Sequence, residues 1–154
     1  MATKAIPDGY HSATPYLIVK GAANAIDYYK RAFDATELFR MADEKGTIGH
    51  AEVRIGDSVI MLADETPGAV CHTPRSLGGS SVGMMIYVND VDTVFKRAVE
   101  AGGKSLRPLT NQFYGDRSGT LEDPYGHVWT VATHVEDVPP AELKRRAEQA
   151  MKAS

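Results

Sequence analysis

The sequence has a single cysteine, no marked excess of either charge and no long hydrophobic run. Cys71 alone cannot form an internal disulfide, and zinc sites built on thiolates need at least two cysteines. With 17 Lys and Arg against 20 Asp and Glu, the net charge of −3 argues against a nucleic-acid-binding surface. No apolar stretch approaches the roughly 20 residues of a membrane span, and the first ten residues lack the apolar segment of a signal peptide. We therefore expect a cytoplasmic protein that binds neither nucleic acid nor membrane.

Common nucleotide-binding and hydrolase motifs are missing as well. No G-x-G-x-x-G follows a predicted strand, and neither a Walker A pattern nor a G-x-S-x-G elbow is present. The 154 residues are 43% apolar and 24% charged, which is typical of a globular protein. A chain of this length buries roughly 70% of its unfolded surface, so it can form a core without disulfides or metal.

The first half of the chain has the pattern β-α-β-β-β. The short apolar run Tyr16–Val19 predicts a strand, and Ala22–Phe33 carries apolar residues at helical spacing. Three further strands are predicted at residues 36–41, 47–55 and 58–63. Composition then shifts to Pro, Gly and Ser, which predicts a linker loop over residues 67–81. Both a lid over a site and a simple crossover between halves fit this loop.

The second half repeats the pattern of the first. Leu17–Val19 aligns with Ile86–Val88, and Lys30–Ala35 aligns with Lys96–Ala101. Two copies of a βαβββ unit predict an α+β fold in which a curved mixed sheet surrounds a concave pocket. The predicted segments are a first unit at 11–66, a second unit at 82–135, with strands at 84–88, 105–109, 117–122 and 128–134, and a C-terminal helical tail at 136–154. The tail helix fits either packing on the body or a dimer contact.

Four strings, Tyr16–Val19, Asp27–Phe33, Gly56–Leu62 and Asp123–His127, resemble the vicinal oxygen chelate superfamily. This superfamily includes glyoxalase I, extradiol dioxygenases, and bleomycin and fosfomycin resistance proteins. Within the superfamily the sequence looks most like the PhnB-like branch, on the strings His50–Asp57, Phe113–Gly119 and Asp123–His134. The resemblance runs from about Ala13 to the tail. It implies the glyoxalase/bleomycin resistance/dioxygenase fold, a small-molecule ligand and a homodimer, which would also cover the edges of the sheets.

The resemblance further implies four metal-ligand positions, and this sequence departs from the family at all of them. Where metal-using members carry His, Gln or Glu, this chain has Thr14, Met61, Gly83 and Thr130. None of these is a good ligand for a divalent ion, so we expect no metal and no other cofactor. The predicted function is metal-independent binding of a small molecule. The alternative is a metal-dependent lyase or dioxygenase of the glyoxalase type with unusual ligands, such as His50 and Glu52.

The turn at Gly56–Asp57 predicts a tight hairpin whose two faces differ in character. Paired residues share a face, and neighbours along a strand alternate. One face is apolar and should meet the helices; it holds Ala51, Val53, Ile55, Ile60 and Leu62. The opposite face should line the pocket; it holds His50, Glu52, Arg54, Val59 and Met61. His50 and Glu52 fit either acid–base chemistry and ligand binding, or a polar network that closes the mouth of the barrel.

The second half offers an arginine beside a tyrosine. Arg117 and Tyr114 suit recognition of a carboxylate or phosphate, because a guanidinium binds such groups through two hydrogen bonds. Pairing of Arg117 with Asp116 or Glu122 at the surface is the alternative.

The last strand should present Thr130 to the pocket, which places Trp129 in the core. Phe39 and Met41 fit either an apolar pocket lining or the core. The predicted ligand-binding residues are therefore His50, Glu52, Arg54, Met61, Tyr114, Arg117 and Thr130. The other four histidines are expected to be surface or structural residues.

Overall fold

The computed structural model describes residues 2–154, which form two four-stranded sheets and four helices. The helices are α1 (Ala22–Phe33), α2 (Pro74–Leu77), α3 (Val91–Glu100) and α4 (Pro140–Lys152). Within the described residues, none of them has the length and apolarity needed to cross a bilayer.

Each sheet has the same order of strands. The first contains β1 (Tyr16–Val19), β2 (Thr36–Ala42), β3 (Ile48–Ile55) and β4 (Ser58–Asp64) in the order β1-β4-β3-β2. The second contains β5 (Gly83–Tyr87), β6 (Lys104–Asn111), β7 (Asp116–Glu122) and β8 (Val128–His134) in the order β5-β8-β7-β6. The pairs β1–β4 and β5–β8 are parallel, and all other neighbouring strands in the two sheets are antiparallel. The predicted α+β fold of tandem βαβββ repeats is confirmed.

The register of the β3–β4 hairpin agrees with the prediction. Ile55 lies opposite Ser58, Val53 opposite Ile60, and Glu52 opposite Met61. All five residues assigned to the helix-facing side are buried, with at most 7% of the residue exposed. The opposite side of the first sheet is therefore the one that can carry a site, although Val59 on that side is also buried.

The carboxylate of Asp64 links the first helix to the sheet through hydrogen bonds. Gly21 precedes α1 and has no side chain to cap it. Asp64 Oδ1 instead accepts hydrogen bonds from the backbone amides of Gly21 and Ala22 at 2.8 and 2.9 Å, and Oδ2 accepts one from Ile48 at 2.8 Å. The unpaired amides of a helix N-terminus favour a negative charge there, so a single residue at the end of β4 joins α1, β3 and β4.

The segment predicted as a plain loop at 67–81 contains the short helix α2. Thr73 caps this helix by accepting a hydrogen bond from the Ser76 amide, and Pro74 occupies its first turn. The Glu65 carboxylate bonds to His72, to the Thr73 amide and to Ser76. These bonds, the one from His72 first, lower the pKa of Glu65 to about 2. The Thr-Pro pair was a local helix signal that the overall composition of the segment obscured.

The residues form two compact units according to their internal contacts. One extends to Ser81 and also includes Pro124–His127; the other consists of Val82–Asp123 and Val128–Ser154. In the first unit His127 Nε2 donates a hydrogen bond to the Ile18 carbonyl at 2.9 Å. The turn between β7 and β8 is therefore part of the packing of the first unit.

The chain that follows β8 packs against the turn between β6 and β7. The amides of Val135 and Glu136 donate to the Gly115 carbonyl at 2.9 and 3.0 Å. Gly115 has a φ of 99°, and a Cβ atom there would lie 2.1 Å from the Glu136 oxygen, so only glycine fits. Arg146 then joins α4 to this region through Glu136 and the Phe113 carbonyl.

Candidate functional site

The exposed face of the first sheet carries a continuous chain of hydrogen-bonded side chains, which we call the Tyr-His-Glu chain: Tyr16, His50, Glu52 and Tyr10. Tyr16 Oη lies 2.7 Å from His50 Nδ1, and His50 Nε2 lies 3.0 Å from Glu52 Oε1. The Tyr10 hydroxyl donates to the other Glu52 oxygen, Oε2. Both oxygens of the carboxylate and both nitrogens of the imidazole thus have partners.

Strand register explains why these side chains meet. His50 and Glu52 are two residues apart on β3, so both point to the same side of the sheet. Glu52 pairs with Met61 on β4, and Met61 pairs with Tyr16 on β1. Because paired residues share a face, Tyr16 lies on the side that carries His50 and Glu52. Tyr10 comes from the segment before β1.

The Tyr-His-Glu chain is partly shielded from solvent. Only 24% of the His50 side chain and 16% of the Glu52 side chain are exposed. Hydrogen bonds from His50 and then Tyr10 lower the pKa of Glu52. Burial, and then the charge of Glu52, raise the pKa of Tyr16. At neutral pH Glu52 is therefore a carboxylate and Tyr16 a protonated phenol.

The partners of His50 define its proton arrangement when it is neutral. A carboxylate can only accept hydrogen bonds, so Nε2 must carry the hydrogen that faces Glu52. Nδ1 is then an acceptor, and the Tyr16 hydroxyl donates to it. The Tyr16 oxygen keeps lone pairs for a ligand, and 47% of this residue is exposed.

Apolar side chains surround the Tyr-His-Glu chain on the β2 side. The Phe39 ring lies 6.2 Å from the His50 ring between centroids, and Met41 pairs with His50 across the strands. Phe39 is 51% exposed and Met41 55% exposed. Of the two interpretations left open for these residues, the structure favours an exposed lining over core packing.

Arg54 lies further along the same face, beside the N-terminal segment. A Cβ atom at Gly9 would be 3.6 Å from Arg54 Nη2, so the guanidinium passes close under that backbone. Its positive charge opposes the rise in the pKa of Tyr10 that the hydrogen bond to Glu52 causes. The structure therefore brings four of the predicted residues together on one face of the first sheet: His50, Glu52, Arg54 and Met61.

In the second sheet, Arg117 and Thr130 do not meet. Thr130 bonds to Thr120 at 3.0 Å between their Oγ1 atoms on one face. Arg117 points to the opposite face, which α3 covers, and binds both Asp92 carboxylate oxygens at 2.8 and 2.9 Å. The alternative of a surface pair with Asp116 or Glu122 was wrong in its partners, since residues adjacent to or five apart from Arg117 on β7 face the other side.

Tyr114 lies in the turn between β6 and β7, at the edge of the second sheet. It is 40% exposed, and its ring meets that of Phe113 edge to face at 5.2 Å between centroids. Trp129 is fully buried, as predicted, and its Nε1 donates to Asp123 Oδ2 at 2.9 Å.

A second histidine network lies at the end of the second sheet. His134 Nδ1 is 2.8 Å from one oxygen of Asp116, and its Nε2 is 2.8 Å from Asp137. The Tyr87 hydroxyl donates to the other Asp116 oxygen at 2.8 Å. These hydrogen bonds, the one to Asp116 first, raise the pKa of His134. The cross-strand pairing of Asp116 with His134 was the signal that could have revealed this network from the sequence.

Comparison with known proteins identifies the family. The model of the Glyoxalase/Bleomycin resistance protein/Dioxygenase superfamily matches residues 10–131. The protein belongs to this superfamily. An uncharacterized protein of Mycobacterium bovis is 43% identical over 128 residues, which are 81% of this chain and 84% of that protein.

Solved structures agree with the superfamily fold. TioX from Micromonospora sp. ML1 is 25% identical, has a TM-score of 0.62, and matches 84% of this chain and all (100%) of TioX. The PhnB protein from Bacillus cereus is 22% identical with a TM-score of 0.62, over 80% of this chain and 99% of that protein.

The four positions at which the family resemblance implies metal ligands carry side chains that are poor ligands for a divalent ion. These positions hold Thr14, Met61, Gly83 and Thr130. Within residues 2–154, no three His, Cys, Asp or Glu side chains are grouped so as to hold a metal ion. His50 and Glu52 supply only two donors beside Met61, and both nitrogens of His50 already have partners.

Two members of the Tyr-His-Glu chain were missed by the sequence analysis. Tyr16 was assigned only to a buried strand, yet alternation with the buried Leu17 and Val19 places it on the opposite face. That alternation was the signal available for Tyr16. Tyr10 had none, because its contact depends on the path of a segment outside the regular elements.

Proposed function

We propose that the protein binds a small organic molecule on the exposed face of the first sheet without using a metal ion. The observation that carries this proposal is the Tyr-His-Glu chain, which ends in the half-exposed residue Tyr16, on the face that also carries Phe39 and Met41. Binding sites for small molecules combine apolar surface with a few positioned polar groups, and this face has both. A planar molecule with a polar substituent suits such a surface.

Independence from metal is supported by the donors that are present. Thr14, Met61, Gly83 and Thr130 are poor ligands for divalent ions. In the alternative, a metal-dependent lyase or dioxygenase, His50 and Glu52 would bind the ion. That would require breaking the hydrogen bond of His50 to Tyr16 or to Glu52.

Membership of the PhnB-like branch belongs to this proposal, with support from the shared fold of the Bacillus cereus PhnB protein. So does a homodimer, which would cover the outer strands β1, β2, β5 and β6. A cytoplasmic location fits the exposed free thiol of Cys71, since cytosolic thiols stay reduced.

A thermal-shift screen tests the proposal. Hydroxylated and aminated planar aromatic compounds are added to protein treated with a chelator. A ligand that binds only the folded protein raises the unfolding midpoint, and at about 100 times its Kd it stabilises by about 2.7 kcal/mol. We expect hits that survive chelation, weaken in Tyr16→Phe and persist in the control Thr130→Val.

Hits that appear only after Mn²⁺, Zn²⁺ or Ni²⁺ is added would overturn metal independence in favour of the lyase or dioxygenase alternative. Hits that are equally strong in Tyr16→Phe and weakened in Thr130→Val would place the ligand on the second sheet instead.

A further inference from the structure

We propose that Tyr16, His50 and Glu52 act as a proton relay that binds aromatic or enolic hydroxyl compounds as their anions, an inference that rests on the proposed binding function of this face. The ligand class is a phenol or enol with an acidic hydroxyl group.

The relay follows from the two arrangements that the Tyr16 hydroxyl can adopt. When His50 is neutral, Tyr16 donates its proton to Nδ1, and its oxygen can accept a hydrogen bond from a ligand. When His50 carries a proton on Nδ1, the direction reverses: Nδ1 donates to the Tyr16 oxygen, and the Tyr16 hydroxyl donates to the ligand. The 2.7 Å separation of Tyr16 Oη and His50 Nδ1 serves either arrangement.

A bound phenol can therefore lose its proton without any outside base. The ligand O–H bond breaks as its proton passes to Tyr16 Oη, while the former Tyr16 proton passes to His50 Nδ1. Tyr16 remains a neutral phenol, His50 becomes an imidazolium, and the ligand becomes an anion that accepts a hydrogen bond from Tyr16. Two protons move, one from the ligand to Tyr16 and one from Tyr16 to His50, and no electrons are gained or lost.

The surroundings of His50 favour this redistribution of charge. Glu52 accepts the Nε2 hydrogen and compensates the imidazolium, while Tyr10 holds the second carboxylate oxygen. The shielding of both charged side chains strengthens their attraction. Because burial raises the pKa of Tyr16, the negative charge is placed on a more acidic ligand and not on Tyr16 itself.

Within residues 2–154, the titratable side chains bonded to His50 are Tyr16 and Glu52, and Tyr10 reaches Glu52 from the segment before β1. Around it, β1 contributes Tyr16, β3 contributes Glu52 and, further along, the cationic Arg54. β4 and β2 contribute side chains that do not titrate, Met61 from β4 and Phe39 and Met41 from β2. Phe39 and Met41 can contact the aromatic ring of a ligand whose hydroxyl reaches Tyr16.

The test uses 4-nitrophenol, because its anion and its neutral form absorb at different wavelengths. The absorption spectrum of the probe bound to the full-length protein is recorded at several pH values on both sides of that at which the probe ionises in water. We expect the absorption of the anion to appear on binding. The apparent pKa of the bound probe should fall by at least about one unit, equivalent to a tenfold preference for the anion.

Variants separate the relay from simple binding. His50→Gln keeps hydrogen-bonding groups but cannot take up the proton, so it should bind the probe in its neutral form. Glu52→Gln removes the compensating charge and serves if His50→Gln does not fold. The control His134→Gln, in the second sheet, should leave the anion signal unchanged.

The result that overturns the relay is 4-nitrophenol that binds in its neutral form, or anion formation that is undiminished in both His50→Gln and Glu52→Gln. 4-Nitroanisole, which has no acidic hydroxyl, distinguishes the two levels of the argument. If it binds while 4-nitrophenol is not ionised, the binding function stands and the relay fails. If neither probe binds, the relay fails, and the thermal-shift screen then decides on the binding function.

Discussion

The two sheets each present a hydrogen-bonded histidine, and the partners of these histidines differ in one respect. His50 lies between a hydroxyl group and one carboxylate, Tyr16 and Glu52. His134 lies between two carboxylates, Asp116 and Asp137. A neutral imidazole has one donor and one acceptor, which matches the partners of His50. Only an imidazolium has a donor for each of two carboxylates, so the network of the second sheet favours the charged form of His134.

This difference separates a histidine whose hydrogen-bond partners fit both protonation states from one whose partners favour the charged form. His50 can satisfy its partners in either protonation state, since Tyr16 can donate or accept. His134 loses a hydrogen bond when it loses its proton. The first arrangement suits exchange of a proton with a ligand, and the second suits attachment of the chain after β8, where Asp137 lies.

The carboxylate of the Tyr-His-Glu chain has no counterpart at the matching position of the second sheet. The aligned positions Met61 and Thr130 pair with Glu52 and Thr120. The second sheet thus has a threonine where the first has the carboxylate of the Tyr-His-Glu chain. The two sheets thus share one backbone register but carry their histidine and carboxylate groups at different positions.

The largest expected effect tests whether the Tyr-His-Glu chain is dispensable for folding. Ile60→Ala removes buried volume from the helix-facing side of the first sheet and should lower the free energy of unfolding by about 2–4 kcal/mol. His50→Ala, on the opposite side, should lower it by less than about 1 kcal/mol. Urea unfolding followed by circular dichroism measures both. If His50→Ala lowered the free energy of unfolding more than Ile60→Ala, the Tyr-His-Glu chain would be needed for folding. The proposed difference in role between His50 and His134 would then be lost.

A smaller effect concerns Glu52 and the acidic pH range. Its pKa is lowered in the folded protein from an ordinary value of 4.5, chiefly by the hydrogen bond from His50. Its contribution to stability is therefore present above pH 4.5 and is lost as the pH falls through the lowered value. Glu52→Gln should be less stable than the wild type by about 1 kcal/mol near neutral pH.

The difference between Glu52→Gln and the wild type should disappear in acid. Urea midpoints measured across the acidic range provide the check, with the exposed Glu44→Gln as a control that should show no such trend. A difference that grows as the pH falls would mean that Glu52 is not held as a carboxylate by its neighbours.

Periodicity along the chain was enough to predict the hairpin register and the faces of the strands. Contacts between residues far apart in the sequence could not be predicted in this way. A two-residue turn at Gly56–Asp57 determines the hairpin register, and with it the shared face of His50 and Glu52. The partner of Arg117 could not be found in this way, because it depends on where α3 lies over the second sheet. Tyr10 likewise reaches Glu52 across 42 positions of sequence, a contact that no local pattern encodes.

The smallest expected effect lies at the opposite end of the pH range and concerns His134. Hydrogen bonds to Asp116 and then Asp137 raise its pKa from an ordinary value of 6.5. Its contribution to stability is therefore complete below pH 6.5 and is lost as the pH rises through the raised value. His134→Gln should be less stable than the wild type near pH 6 and should approach it at about pH 9. Half of the His134 side chain is exposed, so solvent weakens the effect.

Urea midpoints of the two proteins at several pH values measure this convergence, and Asp137→Asn should show a weaker form of it because one of the two carboxylates remains. The exposed Glu44→Gln, which touches neither histidine network, should show no such convergence in this pH range. If the His134→Gln difference instead widened with rising pH, His134 would be neutral in the folded protein, and the contrast between the two histidines would be lost.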